Sequence, residues 1–202
     1  EPYSVQHVGN EIESFRAEEK LEEYRIIRSI SSVLRERLRE IEGDYHIVVR
    51  VDALQAVAGF SDQMYMNPPE ISEKGHMRIN AGRHPFLWKI LRKGDRESNL
   101  IPLDMELGRG HTCMVITGSN AGGKTVALKT TGVLTLMALS GMHIPAGSGS
   151  TIPFFGKVFA DIGDDQSIEQ NLSTFSAHTR RISEIIRNSR DRTLVIIDEL
   201  GT

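Results

Sequence analysis

The sequence predicts an α/β domain organised around a phosphate-binding loop, with a long helical segment in front of it. Three observations carry this prediction. Gly118-Ser119-Asn120-Ala121-Gly122-Gly123-Lys124-Thr125 fits the pattern G-x-x-x-x-G-K-[ST] at every fixed position. From about residue 75 onward, short apolar runs alternate with stretches of helical length. Before that point the apolar residues recur in steps of three and four, the period of a helix with one buried stripe.

The helical segment comes first. Between Ser4 and Glu42 there is no proline, and the one internal glycine is Gly9. Val5, Val8, Ile12 and Phe15, then Tyr24, Ile27, Ile30, Leu34, Leu38 and Ile41, fall on one stripe. The other faces carry Glu18, Glu19, Lys20, Glu22, Glu23, Arg35, Arg37 and Arg39, a solvated surface. The pattern predicts a helix broken at Gly43-Asp44 and a second one carrying Val48, Val51, Leu54, Val57, Ala58 and Phe60, ended by Pro68-Pro69. Such an arm has no core of its own. It reads either as a mechanical connector or as an ordinary helical subdomain, and the boundary falls at residues 1–74 against 75–202.

In the second segment His76-Met77-Arg78-Ile79 alternates like a strand, and Arg83-His84-Pro85 leads into Phe86-Leu87-Trp88. Met114-Val115-Ile116-Thr117 reads as a buried strand before the loop. A helix of about four turns follows and ends at Gly141. Val158–Ala160 is a further strand, residues 174–188 a helix, and Thr193–Ile197 a central strand apolar throughout. This alternation predicts a mainly parallel sheet.

Each fixed position of the loop has a physical task. The glycines let successive backbone N–H groups face one anion. Lys124 can place its charge between the β- and γ-phosphates, and Thr125 can offer its hydroxyl to Mg²⁺. The candidate nucleotide-binding residues are therefore Gly118, Ser119, Asn120, Ala121, Gly122, Gly123, Lys124, Thr125 and Val126. At the carboxyl end of the central strand stand Asp198 and Glu199, where α/β proteins bind ligands. Asp198 is a candidate Mg²⁺ residue beside Thr125, and Glu199 a candidate to orient or deprotonate the attacking water.

The bulk properties set limits. The 202 residues suit one or two domains, and 39% hydrophobic with 25% charged residues is ordinary for a globular chain. A net charge of −3 gives no general nucleic-acid-binding surface, though it leaves room for a local basic patch. The single cysteine, Cys113, cannot form an internal disulfide and is expected to pack against the strand that follows it. No apolar run reaches membrane-spanning length. The chain lacks an initial methionine and stops just after a central strand, so it reads as a piece of a longer protein.

Between loop and acids lies Asp161-Ile162-Gly163-Asp164-Asp165-Gln166-Ser167-Ile168-Glu169-Gln170-Asn171-Leu172-Ser173-Thr174-Phe175. Its serine-threonine-phenylalanine stretch resembles that of the MutS family within the ABC-type ATPases. Arg83-His84-Pro85, Asn120, Gly122-Gly123-Lys124 and Asp198-Glu199-Leu200-Gly201 carry the same resemblance, which covers essentially the whole chain. Lys124-Thr125-Val126 with Leu128-Lys129-Thr130, and Ser167 to Phe175, resemble the MutS-two branch, whereas mismatch-repair members usually read Gly-Gly-Lys-Ser-Thr. Ser119 stands where both branches commonly have proline.

The resemblance implies an ABC-type P-loop NTPase domain, truncated at its C-terminus and preceded by a lever of long helices. It implies ATP and Mg²⁺ as cofactors, hydrolysis to ADP and phosphate, a homodimer, DNA as the partner of the parent protein, no membrane, and a bacterial cytoplasmic, nucleoid-associated location. Catalytic roles fall to Glu199, Lys124 and, acting on the partner's nucleotide, Ser173, which is also a candidate N-cap of its helix. Asp164-Asp165-Gln166 reads either as a coupling element or as a solvated loop. Leu100 or Ile101 reads either as an adenine contact or as core, and His84 either as a contact near the nucleotide or as a fixed point where the chain joins the domain. The associated processes are DNA repair, suppression of recombination on branched or mismatched DNA, and in some members stalled ribosomes. Two alternatives stay open. One is a nucleotide-gated dimerisation module without turnover. The other is an ABC-type ATPase coupled to a different partner. A transporter motor would carry Leu-Ser-Gly-Gly-Gln where this chain has Leu172-Ser173-Thr174-Phe175.

Overall fold

A computed structural model describes residues 3–93, 100–119, 122–162 and 171–199, with side chains described outside 3–4 and 171–178. The chain separates into two compact units, Glu1–Ala56 and Val57–Thr202.

Two helices begin the chain: α1 (Tyr3–Glu36) and α2 (Leu38–Gln63). The break lies at Arg37, not at Gly43-Asp44, which α2 runs through. A helical glycine costs only about 1 kcal/mol relative to alanine, too little to stop a helix with good neighbours. Around Arg37 the i→i−4 bonds continue, from Arg37 N–H to the Val33 carbonyl and from Ile41 N–H to the Arg37 carbonyl. α2 ends before Pro68, at a turn where Tyr65 adopts φ 46°.

In the second unit, β1 (Glu70–Ser72), β2 (Met77–Gly82), β3 (Leu103–Leu107) and β4 (Thr151–Pro153) form a sheet in the order β1-β4-β2-β3. β1 and β4 are parallel, and β2 is antiparallel to both β3 and β4. β5 (Lys157–Asp161) and β6 (Thr193–Ile197) form a separate parallel pair in register from Lys157–Thr193 to Asp161–Ile197. The helix between them, α5 (Asn171–Asn188), supplies the crossover that a parallel pair needs. The fold class is thus mixed α/β, with a mixed sheet and a parallel pair in place of one mainly parallel sheet.

The core lies around α4 (Lys124–Leu139). Leu134, Met137 and Ala138 on this helix join Met77 and Ile79 of β2, Ile152 of β4, and Leu194 and Ile196 of β6 in one buried cluster. Thr130, Thr131 and Thr135 are buried on the same helix, and each hydroxyl donates to the carbonyl four residues back. That removes the cost of burying them. Gly132 permits close approach, because a Cβ there would stand 3.1 Å from Ile196 Cδ1. The helix closes as expected at Gly141: Gly141 N–H donates to the Ala138 carbonyl and Met142 N–H to the Met137 carbonyl, the paired bonds of a Schellman motif.

Three further expectations are corrected. Met114–Thr117 forms no strand with a described partner, and Met114, Val115 and Ile116 are exposed. Cys113 is exposed and does not pack. α5 starts at Asn171, which puts Ser173 in its first turn and not at its cap.

His84 fixes the start of α3 (Pro85–Lys93). Its carbonyl accepts the Trp88 N–H at 2.9 Å, and Pro85 takes the first helical position, where no N–H is needed. Arg83 N–H donates to the Pro145 carbonyl, and its guanidinium lies 5.2 Å from the Trp88 ring centre. Burial, and then the Lys129 ammonium, hold the His84 pKa below its ordinary 6.5. The folded state thus resists a proton that the unfolded chain accepts. The resulting stability is complete above pH 6.5 and declines as the pH falls below it. Urea midpoints measured at pH 8 and pH 5.5 should fall more for the wild type than for His84→Asn, which can still cap α3.

Candidate functional site

The site forms where the first turn of α4 meets the end of β6. Thr125, the second residue of α4, donates its Oγ1 hydrogen to Asp198 Oδ2 at 2.6 Å. Asp198 follows β6 directly, and its N–H donates to the Asp161 carbonyl at 2.9 Å, so the β5–β6 ladder continues one step into the site. Two hard oxygen donors from distant parts of the sequence thus stand together.

Lys124 opens the helix. Its Nζ donates to the carbonyls of Gly118 at 2.7 Å and Ser119 at 2.9 Å, folding the loop over its own ammonium. Gly122 N–H closes a turn on the Ser119 carbonyl at 3.0 Å. Gly123, at φ 82°, is the residue before the helix, a left-handed position that disfavours any side chain. Among the described residues no side chain caps α4, and the N-terminus of a helix favours an anion. Val126 lies in the first turn, where its carbonyl accepts the Thr130 hydroxyl at 2.6 Å. Asn120 and Ala121 lie outside the described residues.

Glu199 is exposed and adopts φ 54°, so the chain turns sharply just past the strand. Leu200 and Gly201 lie outside the described residues, as do Asp164, Asp165 and Gln166. Ser173 is on α5, with its side chain outside the described set. Of the two candidate base contacts, Leu100 packs against the core, whereas Ile101 is 88% exposed.

One contact escaped sequence reasoning. Asp161, at the end of β5, is buried, and Arg181 Nη1 of α5 donates to its Oδ1 at 2.7 Å. The pair ties α5 to the strand that positions Asp198. An acid closing a strand was visible in the sequence, but its partner lies 20 residues on and carries no local pattern.

A family model for MutS domain V matches residues 114–202, spanning the loop, α4, α5 and the acids after β6. Over 201 residues and 100% of its length, the chain is 43% identical to the Endonuclease MutS2 of Clostridium kluyveri. The chain belongs to the MutS family. It is also 42% identical to the Endonuclease MutS2 of Clostridium acetobutylicum and 40% identical to that of Geobacillus sp. (strain WCH70), in each case over 100% of the chain. These MutS-family relatives are longer: the chain spans 25%, 24% and 25% of them, about a quarter of each. Among the described residues no helix is long and apolar enough to cross a membrane.

The geometry of the loop yields a stability prediction. Gly123→Ala should destabilise the protein by about 1–2 kcal/mol, the cost of a left-handed backbone at a residue with a Cβ. The shift of the urea midpoint, read by circular dichroism, measures it.

Proposed function

We propose that this chain is the nucleotide-binding part of a MutS-type, DNA-associated ATPase, with an ABC-type P-loop domain preceded by a lever of long helices. The 2.6 Å contact between Thr125 and Asp198 carries the reading. A hydroxyl and a carboxylate oxygen side by side suit Mg²⁺, which takes hard oxygen ligands and keeps several of its waters. Thr125 and Asp198 would hold the ion, which when bound neutralises charge on the β- and γ-phosphates.

The other residues act directly. Lys124 exchanges its two loop carbonyls for phosphate oxygens, a charge-assisted contact roughly twice as strong as a neutral one. The backbone from Gly118 to Val126, at the open end of α4, binds and orients the triphosphate. Glu199 accepts a proton from, or orients, the water that attacks the γ-phosphorus. The bond from that phosphorus to the β–γ bridging oxygen breaks, and ADP and inorganic phosphate leave. Ser173 serves the nucleotide of a second subunit, and closure of the two domains completes each site. The helices before residue 75 carry that motion toward DNA bound by other parts of the full-length protein, in a bacterial cytoplasm. Repair or suppression of recombination on branched or mismatched DNA fits this design.

In the full-length protein, Lys124→Ala should weaken ATP binding at least about tenfold through loss of its phosphate contacts. Glu199→Gln should leave binding near wild type while lowering turnover at least about a hundredfold. Calorimetry and a phosphate-release assay read the two effects. Wild-type hydrolysis by Lys124→Ala would overturn the assignment. The 202-residue chain alone should turn over ATP weakly or not at all in the same assay.

A further inference from the structure

A cavity of about 410 Å³ opens between the end of α2 and α3, within the second unit. It shares no lining residue with the phosphate loop. Three cations line it, Lys89, Arg92 and Lys93, and all three are exposed. Among the described residues Asp62 is the one acid lining it, and none of the three cations is in an ion pair. Three positive charges against one negative make a local basic patch in a chain whose net charge is −3.

Tyr65, just past α2, lines the same cavity. Its φ of 46° is a left-handed conformation that an aromatic residue rarely adopts. Arg92 holds it there. Nη1 donates to the Gln63 carbonyl at 2.9 Å, Nη2 donates to the Tyr65 hydroxyl at 3.1 Å, and the guanidinium lies 4.8 Å from the ring centre. Tyr65 nonetheless stays 67% exposed. Backbone strain of this kind persists where the surroundings over-determine it, and it clusters at ligand sites. On α3, Phe86, Lys89, Ile90 and Lys93 follow in steps of three and four and share one face. All four are exposed, Phe86 by 65%. Apolar groups and cations thus alternate along about 10.5 Å of helix, more than a single phosphate group covers.

We propose that this face binds single-stranded nucleic acid, in addition to the DNA that other parts of the full-length protein take. Lys89 and Lys93 contact phosphates. The open side of Tyr65 stacks on an unpaired base, Phe86 takes a neighbouring one, and Arg92 positions the Tyr65 ring. Exposed rings favour a single strand over a duplex, whose bases are already stacked on one another. They also favour a nucleic acid over an acidic peptide, because carboxylates would use the cations and leave both rings in water. No part of this binding needs ATP.

Photo-crosslinking and fluorescence anisotropy with the full-length protein, without nucleotide, test it. The probes are oligothymidylate, oligouridylate and a duplex of the same length. Crosslinks of one or both single strands should map to the peptides holding Tyr65 or Phe86, and the strand that crosslinks identifies the sugar that the site takes. Lys89→Gln with Lys93→Gln should weaken single-strand binding at least about tenfold. It should also make the slope of log affinity against log salt shallower by about 1.4, two phosphate contacts at about 0.7 each. Lys89→Arg with Lys93→Arg should restore both. ATP hydrolysis without nucleic acid should stay at the wild-type rate in each variant and show that the fold is intact. Absence of a crosslink at either ring would overturn the proposal, as would unchanged affinity and slope in the glutamine variant. So would equal crosslinking of the duplex to these rings, or displacement by polyglutamate as effective as by unlabelled strand.

Discussion

The structure depends on one requirement: the start of α4 and the end of β6 must stay within hydrogen-bond distance. Thr125 and Asp198 are 73 residues apart and meet at 2.6 Å. Neither residue is placed by its own neighbours alone. Behind them Leu134 and Ile196 are buried together, and Gly132 lets helix and strand approach so closely that a methyl group would press on Ile196. The packing of α4 on β6 thus sets the distance between the phosphate loop and the acids. Asp161, held by Arg181 and bonded through its carbonyl to Asp198 N–H, secures the strand from the other side.

Local chemistry was legible in the sequence wherever it is decided locally. Thr193–Ile197 is a strand with the bounds of its apolar run, but it is not covered on both faces as that run predicts: Leu194 and Ile196 are buried and Val195 is exposed. The helix after the loop begins and stops where Lys124 and Gly141 place its ends, since a left-handed glycine on each side punctuates it. The mixed α/β class followed from the alternation of such segments.

What could not be read depends on partners far away. Met114–Thr117 has the composition of a strand, but a strand needs a ladder, and propensity says nothing about which edge is free. Gly43 looked like a helix end and is not one, because a helix tolerates one glycine when the residues on either side continue the pattern. Cys113 lies exposed because the stretch it leads into is itself uncovered. The ion pair of Asp161 with Arg181 was invisible, as contacts between a strand and a crossover helix follow from packing and not from spacing. In the site, the residue types were legible and the Thr125–Asp198 contact was not.

The most direct test of the central claim is a double-mutant cycle on ATP binding by the full-length protein, with Thr125→Val and Asp198→Asn, with and without Mg²⁺. If the two oxygens act together on one ion, the substitutions are non-additive by about 1 kcal/mol or more in Mg²⁺, and the coupling shrinks when the ion is withheld. Additive effects that do not depend on Mg²⁺ would contradict a shared metal site.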